Sequence, residues 1–165
     1  MPHSLSAQNS FRQACSRFAT GITISTVIGE DGAPHGLTAN SFTSVSMDPP
    51  LVLICIDQRA NIVDPFRTAK HFGINVLESG QADLSNRFAG RDQDRFGGVS
   101  WHAGQYGVPL LDGSITQFEC AVKSVIEAGD HLIFMGEVVA AEFFDGEPLL
   151  YFRSRYVKLE VPTTY

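Results

Sequence analysis

Apolar side chains recur along this chain with two periods. Phe11, Ala14, Cys15 and Phe18 stand at i, i+3, i+4 and i+7, one apolar face of a helix. Asn9 or Ser10 suits its N-cap, and Gly21 can end it. The segment Ile22-Thr-Ile-Ser-Thr-Val-Ile28 is β-branched and breaks at Glu30-Asp-Gly-Ala-Pro34. Asp31-Gly32 there predicts a hairpin turn into a second strand over 35–46. The unbroken apolar run at 51–56 predicts a buried strand, 61–69 a short helical crossover, 72–77 a strand and 81–89 a second short helix. Strands follow near 114–127, 131–144, 149–153 and 156–160, turned by Glu127-Ala-Gly-Asp130 and Asp145-Gly-Glu-Pro148. Ahead of these strands, residues 90–113 are glycine-rich and predict a long irregular loop. Such loops are uncommon in compact domains and are more often functional than linking.

Strands dominate, hairpins join several of them, and helices do not alternate with strands as a doubly wound sheet needs. An antiparallel barrel closes the sheet edges. The expected fold is therefore mainly β with peripheral helices: a single domain over 1–165, with its core at about 11–160 and a short N-terminal arm. With 165 residues, such a domain buries roughly 68–70% of its unfolded surface and needs no disulfide.

Charge narrows the partners. The net charge is −6 and the pI about 5.2. The basic residues are scattered, which excludes a nucleic-acid surface, since phosphate backbones require clustered Lys and Arg. The densest basic group is Arg87, Arg91 and Arg95. No apolar run nears the ~20 residues of a membrane span, and the first residues lack a signal-peptide pattern. Cys15, Cys55 and Cys120 are odd in number, far apart and set among apolar neighbours. They predict three buried thiols in a reducing, cytoplasmic setting.

The richest chemistry lies ahead of the strand at 51–56. Thr38, Asn40, Ser41, Thr43 and Ser44 place five small hydroxyl or amide side chains in seven positions, and Pro49-Pro50 follows. Alternate positions of an extended segment can address one ligand from one face. The prolines stiffen the backbone and the apolar run anchors it. Such a ledge suits a phosphate-bearing organic cofactor. The same hydroxyls would also suit a solvated edge strand, although an edge has no need of that rigidity.

Dinucleotide and phosphate-loop glycine motifs, zinc-ligand spacings and a hydrolase nucleophile elbow are all missing. No metal site is expected. His131 opens an apolar strand after Gly129-Asp130 and could overhang a pocket mouth, or simply bond within its hairpin. His3, His35, His71 and His102 read as structural, and Trp101 as loop packing. The arginine group could neutralise a phosphate, or form a solvated helix end paired with Asp92 and Asp94.

An ordered set of segments resembles the short-chain flavin reductase family. It comprises Phe18-Ala-Thr-Gly-Ile-Thr-Ile, Gly36-Leu-Thr-Ala-Asn-Ser-Phe-Thr-Ser-Val-Ser-x-x-Pro-Pro-Leu, Phe72-Gly-Ile-Asn-Val-Leu, Leu84-Ser-x-x-Phe-Ala, Asp94-Arg-Phe, Asp112-Gly-x-x-x-x-Phe-Glu-Cys, Gly129-Asp-His and Glu147-Pro-Leu-Leu-Tyr-Phe-Arg-x-x-Tyr156. The likeness runs from about Phe11 to Leu159. It implies a Greek-key split β-barrel of the FMN-binding type, and a homodimer with flavin sites at or near the subunit interface. It also implies reduction of FMN or FAD by NADH or NADPH, hydride passing from nicotinamide C4 to flavin N5, and delivery of reduced flavin to a separate monooxygenase.

By the same resemblance, Thr38, Asn40 and Ser41, with Ala39 among them, match positions that hold the ribityl or phosphate portion. Ser44, Val45 and Ser46 match contacts to the isoalloxazine edge, and Cys55, Ile56 and Asp57 the strand end under the ring. Asn61 matches a phosphate-side polar position, where many relatives have a hydroxyl. Arg95 matches a basic position near the phosphate, His131 the histidine near the nicotinamide, and Tyr156 an aromatic bordering the pocket. The alternatives are a carrier with tightly held FMN, a reductase of another flavin-linked acceptor such as ferric iron or a corrinoid, and a small-molecule-binding barrel without enzymatic activity.

Overall fold

The computed structural model describes residues 6–91 and 94–160. Helix α1 (Ala7–Cys15) starts earlier than expected. Ser6 is its N-cap, the hydroxyl accepting from Asn9 N at 3.3 Å, and Ser16 closes it. Gly21 instead lies in β1 (Thr20–Gly21). The helix buries none of its residues, and Phe11 and Phe18 are 69% and 77% exposed.

The hairpin of β2 (Thr23–Ile28) and β3 (Pro34–Ala39) forms as expected. Gly32 sits at φ 76° in its turn, a conformation open to glycine at little cost. The single strand expected over 35–46 is two. β3 ends at Ala39, and β4 (Thr43–Met47) then pairs with β5 (Pro50–Asp57). Next come α2 (Val63–Thr68), β6 (His71–Val76) and α3 (Ala82–Ala89). The glycine-rich stretch is less irregular than expected, since β7 (Trp101–Ala103) and β8 (Pro109–Leu111) form a hairpin within it. Its turn is held by the buried Glu119 carboxylate, which accepts from Gln105 N and Tyr106 N at 2.7 Å each. Long β9 (Thr116–Ala128) and β10 (His131–Phe143) follow, then β11 (Leu150–Phe152) and β12 (Arg155–Val157).

The main sheet has seven strands in the order β3-β2-β6-β9-β10-β5-β4, every pairing antiparallel. Its edge strands, β3 and β4, are joined by residues 40–42 alone. Four peptide steps span at most about 14 Å, far less than the width of a flat seven-stranded sheet at ~4.8 Å per strand. The sheet must curl until its edges meet. That is the barrel, with its seam at residues 40–42.

Inside it, Val52, Ile54 and Ile56 of β5 pack with Phe72, Ile74, Leu132, Phe134 and Phe66. Leu51, Leu53, Cys55 and Asp57 alternate outward and are half-buried, the period of two at work. β2 is buried almost throughout, because a second cluster including Leu77, Phe88, Leu111 and Leu149 packs with its Ile22 and Ile24 flank. Of the cysteines, only Cys120 is buried. Cys55 is half-buried and Cys15 exposed, since α1 covers nothing. Burial pushes the Cys120 thiol up to about 12. Trp101 packs edge-on against Phe96.

Candidate active site

The polar residues after β3 do not form one ledge. Thr38 Oγ1 donates to Ser85 O at 2.6 Å, tying β3 to α3. Ser41 Oγ donates to Cys55 O at 3.1 Å and accepts from Cys55 N at 3.0 Å. Both hydroxyl protons are thus engaged by the protein, leaving Thr38 an acceptor towards any ligand. Asn40 is exposed at the seam. In β4, Ser44 and Val45 are exposed and Ser46 half-buried. The register with β5 shifts between Ser44 and Ser46, and such bulges re-aim a strand beside functional sites. The expected alternation on one face fails because the chain turns from one sheet edge to the other at residues 40–42.

A cleft of about 590 Å³ opens beside the seam. β3 contributes Leu37 and Thr38, the end of β5 and the following turn Asp57, Arg59 and Asn61, and the end of α3 Phe88, Gly90 and Arg91, with Arg95 beyond it. Among the residues expected from sequence, the cleft gathers Thr38, Asp57, Asn61 and Arg95. It does not gather Ala39, Asn40, Ser41, Ser44, Val45, Ser46, Cys55, Ile56, His131 or Tyr156. Ile56 is buried in the barrel core, so only its backbone could meet a ligand. The cleft also takes in Arg59 and Phe88, which the sequence reading does not single out, and Arg91, which it weighs only as one of the arginine group. A signal for Arg59 was present in Asp57-x-Arg59, a carboxylate two residues before a guanidinium at a strand end.

Arg59 folds back on Asp57. Its Nε donates to Oδ1 at 3.0 Å, its Nη2 to Oδ2 at 2.8 Å and its backbone N to Oδ1 at 2.8 Å. This bonding, with a smaller contribution from His131, holds the Asp57 carboxyl well below the usual carboxylate range. His131 faces Asp57 across the β5–β10 ladder. Its Nδ1 lies 2.7 Å from Asp130 Oδ1, which lowers the Asp130 carboxyl in turn. Arg59 Nη2 stands 3.9 Å from Asp130 Oδ2. His131 therefore reaches the cleft through Asp130, Arg59 and Asp57.

Arg95 is only 8% exposed. Its Nη1 donates to Gly36 O at 2.8 Å, and its Nη2 to Gly90 O at 2.6 Å and Asn61 Oδ1 at 3.3 Å. It joins β3, the turn before α2 and the end of α3. Arg87 does not take the expected carboxylate of Asp94; it donates to the backbone carbonyls of Asp94 and Gly97. Asp92 lies outside the described residues. Tyr156 touches α3 rather than the cleft. Its hydroxyl donates to Asn86 Oδ1 at 2.8 Å and lies 2.9 Å from Ser85 Oγ.

The family described as flavin reductase like domain matches residues 15–160. The chain belongs to that family. It is 44% identical over 145 residues to a probable flavin reductase of Rhizobium meliloti (strain 1021), covering 88% of this chain and 47% of that protein. It is 41% identical, with the same two coverages, to the reductase component of the flavin-dependent trigonelline monooxygenase of Acinetobacter baylyi (strain ATCC 33305 / BD413 / ADP1). The chain thus spans about half the length of these curated relatives. Among solved structures, an NADH:FAD oxidoreductase of Streptomyces globisporus C-1027, in complex with NAD and FAD fragments, superimposes with a TM-score of 0.90 at 38% identity, over 96% of each chain. The flavin reductase fold, an antiparallel split barrel with peripheral helices, is therefore as expected. Among the described residues, no group of His, Cys, Asp and Glu is arranged to hold a metal ion.

Proposed function

We propose that this chain is an NAD(P)H-dependent flavin reductase, taking FMN or FAD with NADH or NADPH and supplying reduced flavin to a separate monooxygenase. The observation that carries this reading is the cleft itself. In a chain of net charge −6, three arginines and one carboxylate converge on it, a donor set suited to a phosphorylated ligand. Its volume lies within the ~300–1,000 Å³ of small-molecule sites. Bound there, a flavin would supply the acceptor for a hydride from the nicotinamide ring.

The remaining tasks fall to the protein. The arginine end of the cleft and Asn61 hold the phosphate. Thr38, with only acceptor capacity left, receives a ribityl hydroxyl. Backbone N–H groups around the Ser44–Ser46 bulge, outside the cleft lining, would stabilise negative charge on a ring that extends past the cleft. His131, beyond the Asp57–Arg59 pair, steers the dinucleotide. Holding two planar rings in contact removes association entropy from the chemical step.

A second copy of the chain completes the site. Val45 and Met47 of β4 are exposed, Met47 at 90%, as are Ile126 of β9 and Phe11 and Phe18 around the first helix. Apolar exposure of this extent marks a contact surface, and a homodimer buries it against the flavin edge. The thiols, none in a disulfide, fit a cytoplasmic setting. No helix among the described residues is long and apolar enough to cross a membrane.

Initial rates of NADH and NADPH oxidation, each with FMN, FAD and riboflavin, test the reading. Turnover stimulated by free flavin is expected. Stoichiometric reduction of bound flavin alone would point to a carrier, and no flavin-dependent oxidation would remove the proposal.

A further inference from the structure

The three cleft arginines are not equivalent. Arg59 is neutralised by a bidentate contact to Asp57. Arg95 is buried and donates to two carbonyls and to the Asn61 amide oxygen. Arg91 is exposed on the cleft rim one residue past the α3 cap, Gly90, and its side chain makes no hydrogen bond or ion pair with another described residue. A cation at the mouth of a concave site in an acidic protein attracts an anion, and among the described residues no side chain or carbonyl takes the donors of Arg91.

We propose, resting on the flavin reading above, that Arg91 is the arginine that contacts the flavin phosphate. Arg95 is a positioning residue that shapes the wall behind it. A guanidinium has donors only, so Asn61 must present its amide oxygen to Arg95. The two N–H donors of Asn61 are thereby left for the ligand. Arg95 thus orients Asn61 and, through Gly36 O and Gly90 O, sets the spacing between β3 and the end of α3 from which Arg91 projects. The resemblance pointed to Arg95 as the basic residue near the phosphate, and the geometry moves the direct contact to Arg91.

Riboflavin and FMN share the ring and ribityl chain and differ by the phosphate, so their ratio of affinities isolates this contact. Fluorescence titrations of both, with thermal melts, are run on wild type, Arg91→Ala, Arg91→Lys and Arg95→Gln. Arg91→Ala is expected to weaken FMN about tenfold, the scale of one exposed charge-assisted hydrogen bond, while riboflavin affinity and melting temperature hold. Arg91→Lys restores part of the FMN affinity. Arg95→Gln lowers the melting temperature and weakens both flavins together. An FMN-to-riboflavin ratio preserved in Arg91→Ala would overturn the assignment. So would an Arg95→Gln protein of unchanged melting temperature that loses FMN alone. Wild type binding neither flavin would remove the underlying reading, and the assignment with it.

Discussion

The Ser41 hydroxyl holds both backbone polar groups of Cys55, donating to the carbonyl at 3.1 Å and accepting from the N–H at 3.0 Å. Two residues further along, Thr43 pairs with Leu53 in the ordinary ladder. A side chain therefore extends the β4–β5 ladder past the point where the backbone of residues 40–42 turns away towards β3. Without it, the last turn of β5 before Asp57 would lose its edge partner.

Ser41→Ala leaves a half-buried amide and carbonyl without that partner. It should cost about 1–3 kcal/mol, the range for an unmet backbone pair. Urea unfolding measures the loss. Flavin affinity should fall as well, because Asp57 and Arg59 lie just past the point where β5 loses this contact.

Tyr156→Phe keeps the ring against Tyr151, whose centroid is 5.6 Å away, and removes only the hydroxyl shared with Ser85 and Asn86. A loss of about 1 kcal/mol is expected, since the amide oxygen and the buried Ser85 hydroxyl each lose a partner. Thermal melts read it. Turnover should change little, because Tyr156 lies outside the cleft.

His131→Ala should slow oxidation of reduced nicotinamide while leaving the flavin dissociation constant within about twofold, less than 0.5 kcal/mol. The ring stands outside the cleft, yet it bonds Asp130 and faces Asp57 across the ladder. Steady-state rates beside flavin titrations separate the two effects. A variant with unchanged rates would remove His131 from the mechanism.

Asp57→Asn should flatten the acid limb of the stability curve. The folded-state carboxyl is held below its ordinary value, chiefly by Arg59. Unfolded protein therefore binds the proton first as pH falls. The contribution is complete above the unfolded value of about 4 and is lost as pH drops from there through the lowered folded value. Urea midpoints from pH 6 downward should fall more gently in the variant than in wild type. Asp130, lowered by His131, adds to the same limb with the same sign.

Much of this protein is decided within a few residues of chain. The unbroken apolar run at 51–56 marks β5, and because a strand exposes its faces with period two the barrel interior takes Val52, Ile54 and Ile56. The Asp31-Gly32 turn and the strands around Gly129-Asp130 follow from local backbone preference. The ordered motifs from Phe11 to Leu159 were sufficient for the family. α1 was harder. Its apolar face is real in sequence, but none of it is buried within this chain, so burial could not mark the ends. The cap at Ser6 did so instead, through a single hydroxyl.

What only the tertiary structure decided is which polar groups remain available to a ligand. Residue type fixes how many hydrogen bonds Thr38, Ser41, Arg59, Arg91 and Arg95 can make, whereas the partners come from elements far along the chain. Ser85 takes the Thr38 proton, Cys55 engages Ser41, and Gly36, Gly90 and Asn61 occupy Arg95. Hydrogen bonding saturates, so a group's capacity towards a ligand is what its own fold leaves over. That remainder depends on contacts between distant segments, which sequence order does not display.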